Sequence, residues 1–133
     1  MKVIVDTSVW SLALRRNQIQ VNPYTDLLRE YIADGRVVII GPIRQEILSG
    51  IRQADQFDKL KKYLSVFPDL DLFREDYELA AEFFNLCRSK GVQGSNTDFL
   101  ICSVAKRRNY TILTSDQDFS LFCQYIPLIL ATP

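Results

Sequence analysis

Short strand-like runs, most of them fully apolar, alternate along this chain with longer segments of helical periodicity. The runs are Lys2–Val5, Val37–Ile40, Val66–Phe73, Tyr110–Leu113 and Ile126–Leu130. Continuous apolar runs are typical of strands covered on both faces, as they are in parallel sheets. Because strands that alternate with helices indicate an α/β fold, the sequence predicts a parallel sheet between helices.

Helices are predicted between these strands. They begin near Thr7-Ser8, Asn22-Pro23, Gly41-Pro42, Gln53, Glu75, Gly94-Ser95 and Gln117. The clearest is Glu75–Lys90, which has one apolar stripe, acids in its first turn and Gly91 at its end. Pro68 removes a backbone N–H from the third predicted strand, and this suits a sheet edge or a strand start.

The 133 residues suffice for one domain and contain no internal repeat or linker, so we predict a single domain over 1–133. The 16 basic and 16 acidic residues cancel, which argues against a protein that coats nucleic acid by charge alone. No apolar run approaches the ~20 residues that cross a bilayer, and the start of the chain lacks a signal-peptide pattern. The expected location is the cytoplasm, without a membrane partner.

The chain contains no histidine. This excludes a Ser-His-Asp triad, a His-paired cysteine nucleophile and a histidine-ligated zinc ion. The three cysteines lack zinc-ligand spacing, and Cys87 and Cys102 fall on apolar helical stripes where we expect them to be buried. Hydrolytic chemistry here has to depend on carboxylates, hydroxyls, lysines or a hard metal ion.

Two carboxylates follow predicted strands at the point where each strand ends. Asp6 comes directly after the first strand, and Asp116 lies just beyond Tyr110–Leu113. Sites in parallel sheets form outside the carboxyl ends of the strands. The sequence therefore predicts that both acids lie at the same edge of the sheet.

Two further acids lie on helices. Asp98 shares a helical stripe with Ile101 and Cys102, so it is expected on the buried side of its helix, where a carboxylate needs compensation. Glu46 has no basic residue at its helical-neighbour positions. Both positions favour a role beyond that of a surface charge.

Each acid also has a simpler local explanation. Asp6 and Asp116 could each cap the helix that follows. Asp98 could form a capping box with Ser95, and Glu46 could be a solvated helix residue. The sequence leaves these explanations open.

Taken together, the acids predict a hard-metal site. Converging carboxylates repel one another, and Mg²⁺ or Mn²⁺ would remove that repulsion while binding their oxygens. Such an ion activates water for phosphodiester hydrolysis. The hydroxyl residues that could support the ligands by hydrogen bonds are Thr7, Ser8, Thr114 and Ser115.

Four motifs then suggest a family. They are Val5-Asp6-Thr7-Ser8-Val9-Trp10, Glu46 in a Pro-x-x-x-Glu helix start, Asp98-Phe99-Leu100-Ile101, and Leu113-Thr114-Ser115-Asp116-Gln117-Asp118-Phe119. In order and spacing the chain resembles the PIN-domain nucleases, above all the VapC-type toxins of type II toxin–antitoxin pairs.

This resemblance implies a three-layer sandwich with a central, mainly parallel five-stranded sheet flanked by helices. It also implies a dimeric endoribonuclease that cleaves RNA with Mg²⁺ or Mn²⁺ and is silenced by a cognate antitoxin. Carried over by motif, the catalytic and metal-binding acids are Asp6, Glu46, Asp98 and Asp116. Asp118 matches a fifth acidic position that some members have and others lack.

Basic residues give a weaker signal. Arg44 and Arg52 flank Glu46 and are the candidates for RNA binding. The remaining clusters, Lys59, Lys61 and Lys62 and Lys106, Arg107 and Arg108, are expected to be solvated helix faces.

Three other functions occur in proteins with a similar arrangement of strands and acids. A receiver-like phosphoryl-transfer domain needs an acidic pair at the first strand and a lysine after the last strand, and both are missing. A haloacid-dehalogenase phosphatase needs an acid two residues after Asp6, where Ser8 stands. A non-catalytic PIN-like RNA-binding or interaction module shares the fold, but the complete acid set argues against it.

Overall fold

The structure is a computed structural model that describes residues 1–14 and 22–133. Within these residues the elements in chain order are β1 (Val3–Val5), α1 (Thr7–Ala13), α2 (Pro23–Ala33), β2 (Val37–Val38), α3 (Gly41–Leu48), α4 (Ala54–Leu64), α5 (Arg74–Ser89), α6 (Asn96–Arg108), β3 (Thr111–Leu113), α7 (Asp118–Phe122) and β4 (Ile129–Leu130). The alternation of strands and helices confirms the predicted α/β class. No helix in these ranges is long and apolar enough to span a membrane.

The strands form one parallel sheet in the order β2–β1–β3–β4. In this register Val3 lies between Val37 and Thr111. The central strands β1 and β3 are buried along their whole length, as their apolar sequences predict. Because β1 and β3 run parallel and side by side, the residues that follow them, Asp6 and Thr114, emerge at the same edge.

The third predicted strand, Val66–Phe73, is not a strand of the described structure, whose sheet has four strands instead of the predicted five. This segment forms a single bridge, between Ile39 and Asp69. The Ile39 N–H donates to the Pro68 carbonyl at 3.1 Å, and the Leu70 N–H donates to the Ile39 carbonyl at 3.0 Å. Pro68 has no N–H with which to extend the ladder, so the segment lies beside β2 at the sheet edge without becoming a strand.

Helix α6 is the most deeply buried helix of the described chain. Every residue from Phe99 to Ala105 is buried, and α6 packs extensively against α5. Cys87 and Cys102 are fully buried between apolar neighbours, as predicted. A helix enclosed in this way holds its first turn, including Asp98, rigidly relative to the sheet.

A buried ion cluster joins the start of α5 to the end of α6. Asp76 in the first turn of α5 is fully buried and accepts hydrogen bonds from Arg107 at 2.6 Å and from Arg108 at 2.8 and 3.0 Å. Arg107 is exposed, as expected, whereas Arg108 is half-buried, and both arginines pair with Asp76, which the expectation of a solvated face did not include. Their partner is 31 and 32 residues away in the sequence, so helical spacing gives no sign of it.

Candidate active site

Asp6 is fixed at the end of β1 by its backbone and by two hydroxyls. Its N–H donates to the Leu113 carbonyl at 2.9 Å, and its Oδ2 accepts hydrogen bonds from Ser8 Oγ and Thr114 Oγ1, each at 2.8 Å. The residue is only 6% exposed. Although Asp6 precedes α1, its side chain makes no capping bond, so helix capping does not explain its presence. Its Oδ1 accepts no hydrogen bond from the described residues.

The same two hydroxyls connect the ends of β1 and β3. Ser8 Oγ accepts a hydrogen bond from the Ser115 N–H at 3.2 Å, and Thr114 Oγ1 accepts one from the Asp116 N–H at 3.0 Å. Each hydroxyl donates to Asp6 and accepts from the loop that carries Asp116. The backbone of Asp116 is thus positioned relative to the Asp6 carboxylate.

Asp98 forms the capping box that the sequence suggested. Its Oδ2 accepts from the Ser95 N–H, and its own N–H donates to Ser95 Oγ, both at 3.1 Å. Burial raises the pKa of Asp98, the Ser95 hydrogen bonds lower it, and the charges of Asp6 and Asp116 raise it further, so that the net shift is upward. Asp98 therefore caps α6 and also lies within electrostatic range of the acids at the strand ends.

Glu46 lies on α3 and faces the same group of acids. Thr7 Oγ1 is 3.5 Å from Glu46 Oε1, a long hydrogen bond between α1 and α3. Desolvation raises the pKa of Glu46, and the negative charges of Asp6 and Asp98 raise it further. The side chain is exposed overall, so it is the most accessible of the four candidate ligands.

Asp118 stands apart from this group. It is the exposed first residue of α7, and its backbone N–H donates to Asp116 Oδ1 at 2.9 Å. Its carboxylate makes no hydrogen bond or ion pair with a described residue. The structure therefore gives Asp118 a backbone role in holding Asp116.

The four acids, Asp6, Glu46, Asp98 and Asp116, have no cationic partner in the part of the chain that the structure describes. None of them forms an ion pair with a described lysine or arginine. Burial and the charges of nearby acids raise the pKa of Glu46 and of Asp98. A hard divalent cation would relieve this repulsion and bind the carboxylate oxygens. No three acidic or cysteine side chains of the described chain converge tightly enough to ligate one ion together. An ion at this site would therefore bind one or two of these carboxylates directly and keep several waters.

Arg44, predicted to bind RNA, has a structural role. Its guanidinium donates to Asp69 Oδ1 at 2.9 and 3.2 Å, to the Leu64 carbonyl at 3.0 Å and to the Phe67 carbonyl at 3.2 Å. These contacts occupy most of its five N–H donors and tie α3 to the segment at the sheet edge. Arg52 is exposed and forms no ion pair with a described residue, so it remains available for a phosphate.

Comparison with known proteins identifies the family. The PIN domain profile matches residues 3–124, so the chain belongs to the PIN domain family. Ribonuclease VapC11 of Mycobacterium tuberculosis is 29% identical over 133 residues, which cover 98% of each chain. Family membership removes the receiver-like and dehalogenase alternatives.

Two solved structures have the same fold. VapBC2 from Rickettsia felis, bound to a DNA fragment from its promoter, superposes with a TM-score of 0.76 at 23% identity, covering 98% of both chains. VapBC-5 from Mycobacterium tuberculosis, described as a member of the VapBC family of toxin–antitoxin systems, gives a TM-score of 0.69 at 16% identity over the whole of both chains.

Proposed function

We propose that this chain is a divalent-metal-dependent endoribonuclease whose metal site is formed by Asp6, Glu46, Asp98 and Asp116, with one or two of these acids binding the ion directly and the others binding it through its waters. The observation that carries the proposal is that acids from different elements meet at one edge of a PIN-domain sheet without a cationic partner in the described residues. The name of the relative VapC11, a ribonuclease, supports RNA as the substrate.

In each of two carboxylates, hydrogen bonds hold one oxygen and leave the other for the metal ion. Bound Mg²⁺ or Mn²⁺ would supply activated water and charge neutralisation for phosphodiester hydrolysis. Asp6 offers Oδ1, because Oδ2 is held by Ser8 and Thr114. Asp98 keeps Oδ2 on the Ser95 N–H and offers its other oxygen. Holding one oxygen of each carboxylate by hydrogen bonds fixes the direction of the other.

Two candidate residues support the ligands by hydrogen bonds, and a cleft beside Glu46 gives the substrate access. Thr7 donates a hydrogen bond to Glu46, and the backbone N–H of Ser115 donates to Ser8, which in turn holds Asp6. A cleft of about 800 Å³ opens beside Glu46, and its walls include Lys59. With Arg52 nearby in the sequence, this cleft is the route we propose for the RNA strand.

We further propose a cognate antitoxin protein and a homodimer for this chain. VapBC-5, which shares the fold, is described as a member of a toxin–antitoxin family. A toxin that cleaves cellular RNA acts in the cytoplasm, and we assign the protein to that compartment on this basis.

The test is cleavage of RNA by the purified protein. We expect cleavage with Mg²⁺ or Mn²⁺, none with chelator, and none from Asp98→Asn, whose amide keeps the Ser95 cap. Asp58→Asn, an exposed acid on α4, is the matched control and should cleave normally. Cleavage that persists in chelator would contradict the metal mechanism, and an inactive wild-type protein would favour the non-catalytic module.

The toxin assignment has its own readout. Expression of the chain alone should arrest growth, and Asp6→Ala should relieve the arrest. Arrest by Asp6→Ala at equal protein level would show that toxicity does not depend on the site.

A further inference from the structure

A second cavity lies near the candidate site, between the end of α5 and the start of α6. Its volume is about 210 Å³. We call it the α5–α6 pocket, and its walls are Phe84, Arg88, Val92, Gln93, Gly94 and Phe99. None of these residues has a role in the chemistry described above.

Two residues of the pocket are sequence neighbours of the capping box formed by Ser95 and Asp98. Gly94 immediately precedes Ser95, which caps α6 through Asp98, and Phe99 immediately follows Asp98. Consecutive Cα atoms are only about 3.8 Å apart. The pocket and Asp98 therefore lie at the same end of α6.

The apolar walls form an aromatic corner. The rings of Phe84 and Phe99 lie 5.5 Å apart at 73°. Phe99 is buried, whereas Phe84 is half-buried. A Cβ at position 94 would lie 2.6 Å from Phe122 Cζ and 2.9 Å from Phe99 Cε2, so only glycine lets the backbone approach these rings.

The polar walls have unused hydrogen-bonding groups. Arg88 and Gln93 are exposed, and neither side chain bonds to a described residue. Glutamine offers both a carbonyl acceptor and an amide donor, and arginine offers five donors and a positive charge. This set can recognise the edge of a planar heterocycle and attract a polyanion.

We infer that the α5–α6 pocket binds one nucleobase of the RNA strand next to the bond that is cut. This inference rests on the proposed ribonuclease function. The pocket is smaller than the ~300–1,000 Å³ that is usual for drug-sized ligands, and thus suits a single base. Unpaired RNA bases are recognised by stacking on aromatic rings and by hydrogen bonds to their edges, which Phe84 and Gln93 supply.

The test measures binding in chelator, so that it does not depend on cleavage. The probes are short single-stranded oligo-A, oligo-C, oligo-G and oligo-U RNAs and an abasic ribose-phosphate chain of the same length, followed by fluorescence anisotropy. We expect wild-type protein to bind at least one RNA more tightly than the abasic chain. Stacking of one base on an aromatic ring predicts that Phe84→Leu lowers this ratio by about 5- to 150-fold.

Matched controls come from the same helix. Phe83→Leu changes a half-buried ring outside the pocket and should leave the ratio unchanged. If Phe84→Leu does not fold, substitutions of two exposed pocket residues test the proposal in its place. Gln93→Ala should change the order of preference among the four RNAs. Arg88→Ala should weaken RNA binding more than Lys90→Ala does.

The outcomes are distinct. The proposal of a base-binding pocket would be overturned if wild-type protein bound RNA and the abasic chain equally well, or if the Phe84 and Phe83 variants lost the same fraction of this preference. The pocket would then have another occupant, such as an apolar side chain of a protein partner. If Phe84→Leu lowers the preference for RNA over the abasic chain but wild-type protein does not cleave RNA with Mg²⁺ or Mn²⁺, base binding in the pocket is supported and the proposed catalytic function is contradicted.

Discussion

At the scale of single residues, Thr114 shows how closely the acids depend on their hydroxyl neighbours. Its Oγ1 donates to Asp6 and accepts from the Asp116 N–H, so one atom links two candidate ligands. Buried carboxylates are stabilised when such bonds hold them. A residue that contacts no ion itself can therefore decide where the ligands lie.

Replacing the Thr114 hydroxyl should lower activity while changing the stability of the fold little. We expect Thr114→Val to lower kcat/KM for RNA or the affinity for the metal by about 10- to 100-fold, which is usual when a ligand loses its supporting hydrogen bond. Thr111→Val is the matched control, because Thr111 is also buried at β3 but its hydroxyl, among the described residues, donates only to Met1 Sδ. Equal effects of the two variants would indicate a general packing defect.

Residues at strand ends are easier to place from sequence than residues whose partners are distant. Asp6 and Asp116 could be placed from the sequence, because a strand end is recognisable from its apolar run and its position in a parallel sheet follows. The partners of Arg44 could not be predicted, since they are 20 to 25 residues away in the sequence. Proximity to Glu46 in sequence favoured RNA binding, whereas the fold uses the guanidinium to hold a loop.

At the scale of elements, the helix pair α5 and α6 depends on Asp76. Removing one partner of a buried ion cluster leaves uncompensated charge. We expect Asp76→Asn to lower the free energy of unfolding by about 3–5 kcal/mol in denaturant titrations. Glu75→Gln, an exposed neighbour without an ion pair in the described residues, should change it little. A small effect of Asp76→Asn would mean that the arginines find other partners.

The same residue gives this stability a defined pH dependence. Burial alone would raise the pKa of Asp76, but hydrogen bonds from Arg108, the Phe73 N–H and Arg107 lower it well below its usual range. Its stabilising effect is thus complete above the unfolded value of about 3.9 and is lost as the pH falls below it. The stability gap between wild type and Asp76→Asn should shrink below about pH 4.

At the scale of the whole molecule, the acid cluster should oppose folding when no metal is bound. The pKa values of Asp98 and Glu46 are raised, so the folded chain binds their protons more tightly than the unfolded chain does. Folding stability therefore falls as the pH rises through this raised range, and the penalty is present at neutral pH.

Thermal unfolding at pH 7 should reveal this penalty. In chelator, we expect Asp98→Asn to be at least as stable as wild type. A metal concentration of about 100 times Kd should stabilise wild type by ~2.7 kcal/mol and the variant by much less. Asp58→Asn should respond as wild type does. Equal stabilisation of Asp98→Asn by metal would place the ion away from Asp98.

The sequence by itself determined the α/β class and the sheet edge that carries Asp6 and Asp116, because apolar periodicity and strand ends are local signals. Only the tertiary structure decided that Val66–Phe73 forms one bridge instead of a strand. It also decided that Asp76 pairs with Arg107 and Arg108, and that the α5–α6 pocket exists. These features depend on distances between residues far apart in the chain, and no local pattern specifies such distances.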